Sequence, residues 1–294
     1  MTYKEACEKG SAILEKAGVP EAVLDARLLL EHVCGTDRNF LLAHGDSIVE
    51  PEKQRLFFTL VEKRSGRIPL QQLTGVQYFM GLEFQLDENV LIPRQDTEVL
   101  VEEVLRYLHD GMRVLDMCTG SGCILISLLR YTNDCQGLGV DISPKALKVA
   151  QENALRLLGE FDGSETGVME LKLTKDRVCF VESDLFEKVE GTFDVIVSNP
   201  PYIPSGKIEK LMPEVRDHEP RFALDGSEDG LCFYRRIIGD CKAHLAGGGM
   251  LFFEIGYDQG EAVSKLMEQA GFLEVQVVKD YAGLDRVVFG TLGF

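Results

Sequence analysis

Phe193-Asp194-Val195-Ile196-Val197-Ser198-Asn199-Pro200-Pro201-Tyr202 reads as a buried strand that ends abruptly in a rigid turn. Its first six residues form a short β-branched run, the pattern of a parallel strand covered on both faces. Two consecutive prolines then close it. Neither can donate a backbone hydrogen bond, and each forces the residue before it into extended geometry. Open α/β sheets hold their ligands at the carboxyl ends of such strands. The turn presents the Asn199 side-chain amide, the carbonyls of Pro200 and Pro201, and the Tyr202 ring. Such a set can accept two hydrogen bonds from a planar NH2 group and cover its face. Pro-Pro is also ordinary loop punctuation, so the surrounding chain has to decide.

Upstream, Val114-Leu115-Asp116 ends a strand, and Thr119-Gly120-Ser121-Gly122 turns into a helix over 124–130. A second strand, 137–140, stops at Asp141, and Ser143-Pro144 opens a helix to about residue 158. A third strand, 178–181, stops before Ser183-Asp184. Downstream of the prolines, a long polar loop (205–229) leads through a helix to a strand at 250–255. A helix over 261–270 and strands at 273–278 and 286–289 complete the series. Seven strands alternating with helices predict a mostly parallel, Rossmann-like sheet with helices on both faces. Residues 159–176 break the alternation, and Gly163-Ser164-Glu165-Thr166-Gly167 is loop chemistry, so a surface insertion is expected there.

A glycine turn after a first strand has two main readings. A dinucleotide fingerprint needs a third glycine for close helix packing, but Gly120 and Gly122 are followed by Cys123-Ile124-Leu125. The alternative is Asp-x-x-x-Gly-x-Gly with an acidic residue ending the next strand, which Asp116, Gly120, Gly122 and Asp141 satisfy. The glycines allow close approach of an amino-acid moiety, and Asp141 can accept both hydroxyls of a ribose.

Residues 1–75 read as four or five short helices punctuated by Gly18, Pro20, Gly35, Gly45 and Pro51. None carries obvious chemistry, so this segment is expected to be a binding module or a lid. Lys63, Arg64 and Arg67 read as a solvated cap at a helix end. A β-hairpin linker is expected over 76–92, followed by the catalytic domain over 93–294. A helix from about 97 to 109 would take Asp96 as its N-cap.

The net charge of −17 falls almost wholly outside the helical segment, where 10 basic residues nearly balance 11 acidic ones. A nucleic-acid enzyme needs a basic footprint, and this composition argues against one. No apolar run reaches membrane-spanning length and the N-terminus is helical in character, which predicts a cytosolic protein. Eight cysteines without a C-x-x-C pair fit free thiols, so no metal site is expected.

These motifs resemble the class I S-adenosylmethionine-dependent methyltransferases. Three further stretches narrow the resemblance to the release factor glutamine N5-methyltransferases: Ile92-Pro93-Arg94…Asp96-Thr97-Glu98, Ser198-Asn199-Pro200-Pro201-Tyr202-Ile203, and Glu214-Val215-Arg216…Glu219-Pro220…Ala223-Leu224. The resemblance implies an N-terminal bundle that docks a peptide chain release factor and a catalytic domain that methylates the glutamine of its Gly-Gly-Gln loop. It implies S-adenosyl-L-methionine as cofactor, with its methionine end against Asp116 and the turn Cys118, Thr119, Gly120, Ser121 and Gly122. Asp141 would take the ribose, and Asp184 and Leu185 the adenine. Asn199 would adjoin both cofactor and substrate, accepting the glutamine amide together with Pro200, flanked by Pro201 and Tyr202. Cys118 and Gln95 depart from the family's usual glycine and proline, and the insertion is long. Two rival substrates share the same turn: a glutamine on a ribosomal protein, and the exocyclic amine of adenine in nucleic acid, which must be flipped out of its stack.

Overall fold

The computed structural model of the chain describes residues 1–161, 171–172 and 177–293. These fall into two compact units, one made of Met1–Val76 with Met212–His218, the other of Gln77–Leu211 with Glu219–Phe294.

The first unit is helical: α1 (Tyr3–Lys16), α2 (Ala22–Cys34), α3 (Arg38–Ala43), α4 (Pro51–Ser65) and α5 (Leu70–Thr74). Local chemistry sets the ends. A capping box opens α1, with the Thr2 hydroxyl accepting from the Glu5 amide and the Glu5 carboxylate accepting from the Thr2 amide. Pro51 occupies the first turn of α4. Leu14, Ala26, Leu29, Leu30, Phe57 and Val61 form the buried interior.

The sequence reading placed Arg64 and Arg67 in solvent, and here the structure differs. Segment Met212–His218, which contains the short helix α10 (Pro213–Arg216, after α9 at Ser205–Ile208), belongs to this unit. Its Glu214 carboxylate accepts from Arg64 Nη2 at 3.0 Å and from Arg67 Nε and Nη2 at 2.6 Å each. Arg64, itself buried, also donates to Asp25 at 2.7 Å. Burial acts to raise the Glu214 carboxyl, but the two guanidiniums outweigh it and hold it below the usual range. A Gln72 amide bonded to the His218 carbonyl at 2.8 Å adds a second tether. Glu214→Ala should therefore destabilise the helical unit by roughly 3 kcal/mol, the low end for breaking a buried pair because Arg64 keeps Asp25. Hydrogen exchange at 212–218 should quicken. Unchanged protection there would assign the docking of the segment to apolar packing alone.

The second unit opens with the hairpin β1 (Val76–Phe79) and β2 (Leu82–Gln85), then α6 (Glu98–Leu105). The remaining elements alternate: β3 (Arg113–Met117), α7 (Cys123–Arg130), β4 (Gln136–Asp141), α8 (Pro144–Leu158), the short strands β5 (Glu160–Phe161) and β6 (Leu171–Lys172), β7 (Val178–Glu182) and β8 (Phe193–Ser198). Then come α11 (Cys232–Asp240), β9 (Leu245–Glu254), α12 (Gly260–Gln269), β10 (Phe272–Lys279) and β11 (Asp285–Leu292). The seven-stranded sheet runs β10-β11-β9-β8-β3-β4-β7, parallel except at β11, which pairs antiparallel with both neighbours. This is the Rossmann-like, mostly parallel sheet that the alternation predicts.

Strand residues alternate between two cores. Val195, Val197 and Phe252 pack with α6, α7 and the hairpin phenylalanines Phe79 and Phe84. Ile196, Leu251 and Phe253 pack with Tyr234, Ile237, Val263 and Met267 of α11 and α12. Burial on both faces explains the unbroken apolar run in β8. Most of the expected insertion, 162–170 and 173–176, lies outside the described residues; β5 and β6 pair antiparallel at its base.

Candidate active site

Parallel pairing brings the carboxyl ends of five strands to one edge. Met117 is level with Val140 and with Ser198, Asp141 with Glu182, and Ser198 with Phe253. A cavity of about 210 Å³ opens at that edge. Of the residues singled out in the sequence, Cys118, Gly120, Asp141, Asp184, Leu185, Asn199 and Pro201 line it. Asp116, Thr119, Ser121, Gly122, Pro200 and Tyr202 do not, and several of them act from beneath.

The glycine turn is built on backbone that side chains avoid. Cys118, Gly120 and Gly122 have φ of +63°, +54° and +79°. A Cβ on Gly122 would stand 2.8 Å from Ile126 and 3.2 Å from Ala150, so only glycine lets α7 and α8 close behind the turn. Cys118 occupies a left-handed position that glycine adopts without penalty, at a cost of roughly 1–2 kcal/mol. Leu185, also on the cavity wall, has φ +50°. Strained residues at a cavity are a mark of function rather than of packing.

Asp141 holds this turn directly. Its Oδ2 accepts from the Gly120 amide and its Oδ1 from the Ser143 amide, each at 2.9 Å. Burial raises its carboxyl above the usual range, opposed by these amides. Asp184 is ion-paired to Arg236 of α11 at 2.9 Å, and both line the cavity. Asp116 is fully buried; its Oδ2 accepts from the Thr119 hydroxyl at 2.6 Å, while Oδ1 has no partner.

Several cavity residues are not among the candidate site residues that the sequence offers, although Ala223 lies in one of its motifs. Asn89, Val90 and Leu91 come from the stretch after the hairpin, Phe222 and Ala223 from the loop after β8, and Phe233 and Arg236 from α11. That loop is pinned by Arg94, whose Nη2 donates to both oxygens of the buried Glu219 at 2.6 and 2.7 Å. It is also zipped to the proline turn: the Ile203 amide donates to Leu224, and the Gly226 amide to Ile203. A Cβ on Gly226 would strike the Tyr202 backbone at 2.8 Å. Asp96 does not cap a helix. A 3-10 turn spans Gln95–Thr97, and Asp96 instead pairs with Arg286 at 3.3 Å.

Comparison with known proteins agrees with this geometry. Residues 5–75 match the family model described as PrmC N-terminal domain, and residues 94–214 match Methyltransferase small domain. A release factor glutamine methyltransferase of Clostridium acetobutylicum is 39% identical over 298 residues, covering 100% of this chain and 99% of the relative. One of Geobacter sulfurreducens is 41% identical, covering 99% and 97%. The chain belongs to the release factor glutamine methyltransferase family. A solved methyltransferase from Pyrococcus furiosus shares the fold at a TM-score of 0.52 and 17% identity, covering 74% of this chain and 91% of that one.

As a member of that family the chain is an S-adenosylmethionine-dependent methyltransferase, and the residues present fit the cofactor. The turn leaves room for an amino-acid end, Asp141 is a carboxylate acceptor at a strand end, and the walls are largely apolar. Among the described residues no cluster of His, Cys, Asp and Glu could hold a metal ion, and no helix is long and apolar enough to cross a membrane.

Burial pushes the Asp116 carboxyl from the usual 3.8 up to about 7, opposed by the Thr119 hydroxyl and the Leu125 backbone amide and reinforced by the Asp141 charge. A carboxyl raised in the folded state favours folding while protonated, and that contribution is lost as pH rises from about 4 to 7. Asp116→Asn removes this titration while keeping an acceptor for Thr119. Between pH 4 and pH 7 the variant should gain on wild type by up to about 4 kcal/mol in urea unfolding without cofactor. Parallel pH profiles for the two proteins would place the Asp116 titration outside this window.

Proposed function

We propose that this chain transfers a methyl group from S-adenosylmethionine to the side-chain amide nitrogen (N5) of the glutamine in the Gly-Gly-Gln loop of peptide chain release factors, in support of translation termination in the cytoplasm. The observation that carries the reading is a shared cavity: Asn199 and Pro201 of the proline turn line the same space as Asp141, Asp184 and Leu185. The helical unit, matching a domain found in these enzymes, is the part we assign to docking the release factor.

The bound cofactor supplies an electrophilic methyl carbon on a sulfonium. An amide nitrogen is a poor nucleophile because its lone pair is delocalised, so the protein's task is to hold it in line. Positioning of this kind can contribute roughly 7–11 kcal/mol. Asn199 Oδ1 and the Pro200 carbonyl each accept one hydrogen of the NH2 group, while Tyr202 flanks the amide plane. As positive charge develops on the nitrogen, both hydrogen bonds strengthen, which favours the transition state over the ground state. No strong base is required, since the methylated nitrogen becomes acidic. His218, the loop histidine, lies within the helical unit with its Nε2 3.3 Å from the Gly66 carbonyl.

Three measurements test the assignment. Asp141→Ala should weaken S-adenosylmethionine binding by about 1.5–3 kcal/mol in calorimetry, the worth of hydrogen bonds to a charged group; unchanged affinity would move the ribose site elsewhere. Asn199→Ala should keep cofactor affinity within a few-fold while kcat/KM on a release factor falls by roughly 100-fold, as on removing one contact of an oxyanion hole. Asn199→Asp, which keeps an acceptor, should retain more activity than the alanine variant. A release factor with Glu in place of the glutamine should take no label. Wild-type activity in Asn199→Ala would overturn the amide-acceptor mechanism.

A further inference from the structure

Gly256-Tyr257-Asp258-Gln259 carries β9 into α12, and its last side chain reaches back to the proline turn. Gln259 is 7% exposed and stands at the start of α12, where its main-chain amide donates to the Gly256 carbonyl at 2.9 Å and its carbonyl accepts from the Val263 amide at 3.0 Å. Its side-chain Oε1 accepts from the Gly256 amide at 2.9 Å. Its Nε2 donates to the Tyr202 carbonyl at 3.0 Å and to the Gly230 carbonyl at 3.3 Å.

The two ends of a carboxamide are told apart by their partners. Here each partner is a main-chain group with a single role: the Gly256 amide can only donate, and the two carbonyls can only accept. The side chain therefore has one orientation, with its NH2 on the proline turn. Gly230 makes room for it, since a Cβ there would strike the Tyr202 carbonyl oxygen and stand 2.7 Å from Gln259 Nε2.

The Tyr202 carbonyl shares a rigid peptide plane with the Ile203 amide, which donates to the Leu224 carbonyl at 3.0 Å. Gln259 and Leu224 thus hold the two polar groups of one plane. At the other end of the turn, Ser198 is level with Met117 and Phe253, and its hydroxyl donates to the Met117 carbonyl at 2.6 Å. Between these anchors lie Asn199, Pro200 and Pro201. The prolines have a fixed φ and no N–H with which to hold themselves in place. Where the turn points its oxygens is therefore set from its two ends.

We propose that Gln259 is a positioning residue for methyl transfer: by holding the Tyr202–Ile203 peptide plane it aims the Asn199 side-chain oxygen and the Pro200 carbonyl at the substrate amide. This rests on the reading that those two oxygens accept from that amide.

The test uses the full-length enzyme, labelled S-adenosylmethionine and an intact release factor. Gln259→Met is close in length and makes neither contact. It should lower kcat roughly 10- to 100-fold, the scale of a small misplacement of reacting groups. KM for the release factor and affinity for the cofactor should stay within threefold of wild type. Hydrogen exchange at the Ile203 amide should quicken while the Val263 and Met267 amides of α12 keep their protection. Gln259→Glu keeps an acceptor for the Gly256 amide but sets an anion against two carbonyl oxygens, so its kcat should fall at least as far. If Gln259 served only to close the turn at Gly256, the glutamate variant would keep wild-type kcat, and that result would overturn the proposal. So would wild-type kcat in Gln259→Met, or equal losses of kcat and cofactor affinity there; should the glutamate variant not fold, the methionine variant decides alone. Asn199→Ala reports on the underlying reading. If it matches wild type, that reading fails and the role of Gln259 falls with it. If it is impaired while Gln259→Met is not, only the role of Gln259 fails.

Discussion

The site depends on where β8 stops. Pro200 and Pro201 lack N–H groups, so the ladder between β3 and β8 cannot extend past Ser198. The Ser198 hydroxyl finishes it instead, donating to the Met117 carbonyl at 2.6 Å in a fully buried position. Beyond that bond the two chains part, β3 into the turn at Cys118 and β8 into Asn199. The cavity lies between the diverging turns. A strand that continued for two more paired residues would occupy that space, and Asp141 would look onto packed backbone rather than onto a ligand.

The sheet was legible because its signals are local. A β-branched run between loop residues marks a strand, and an acidic residue or glycine at its carboxyl end marks the ligand edge. Asp141, Asp184 and Asn199 could be placed on that edge without coordinates. Contacts made across more than a hundred residues leave no such period. Arg94 with Glu219, Thr97 with Asn199, and Arg64 with Glu214 all belong to motifs visible in the sequence, yet nothing in the spacing pairs them. Asp96 illustrates the difference. Local rules favour it as an N-cap, but a buried guanidinium from the far end of the chain is a stronger partner for a carboxylate than a helix amide. The same competition moved Arg64 from an expected solvated helix end into a buried cluster.

Arg286 is that guanidinium, and it makes the C-terminal strand pair part of the site. Its Nη2 stands 3.0 Å from Asp280 and 3.3 Å from Asp96, and its Nη1 donates to the Ile255 carbonyl at 3.3 Å. One cation therefore ties the turn before α6 to the residue that follows Glu254. Two carboxylates share that one guanidinium. Burial pushes the neighbouring Glu254 carboxyl up to about 7, with the Arg286 charge opposing that rise and the Asp96 charge adding to it.

The proline turn does not by itself select a substrate. The exocyclic amine of adenine and the amide of glutamine both offer a planar NH2 group, and the two acceptors would serve either. What differs is everything attached to the nitrogen. A nucleic acid brings phosphates, which need cations that are not already committed. Among the described residues that line the cavity the one cation is Arg236, and it is paired with Asp184. Arg94, beside the loop that carries Phe222, is spent on Glu219. With nearly all of the −17 charge outside residues 1–75, a polyanion would meet repulsion on the unit that performs the chemistry. A protein loop carries no such requirement. Choice among protein substrates then falls to surfaces away from the turn, of which the nearly neutral helical unit is the natural candidate.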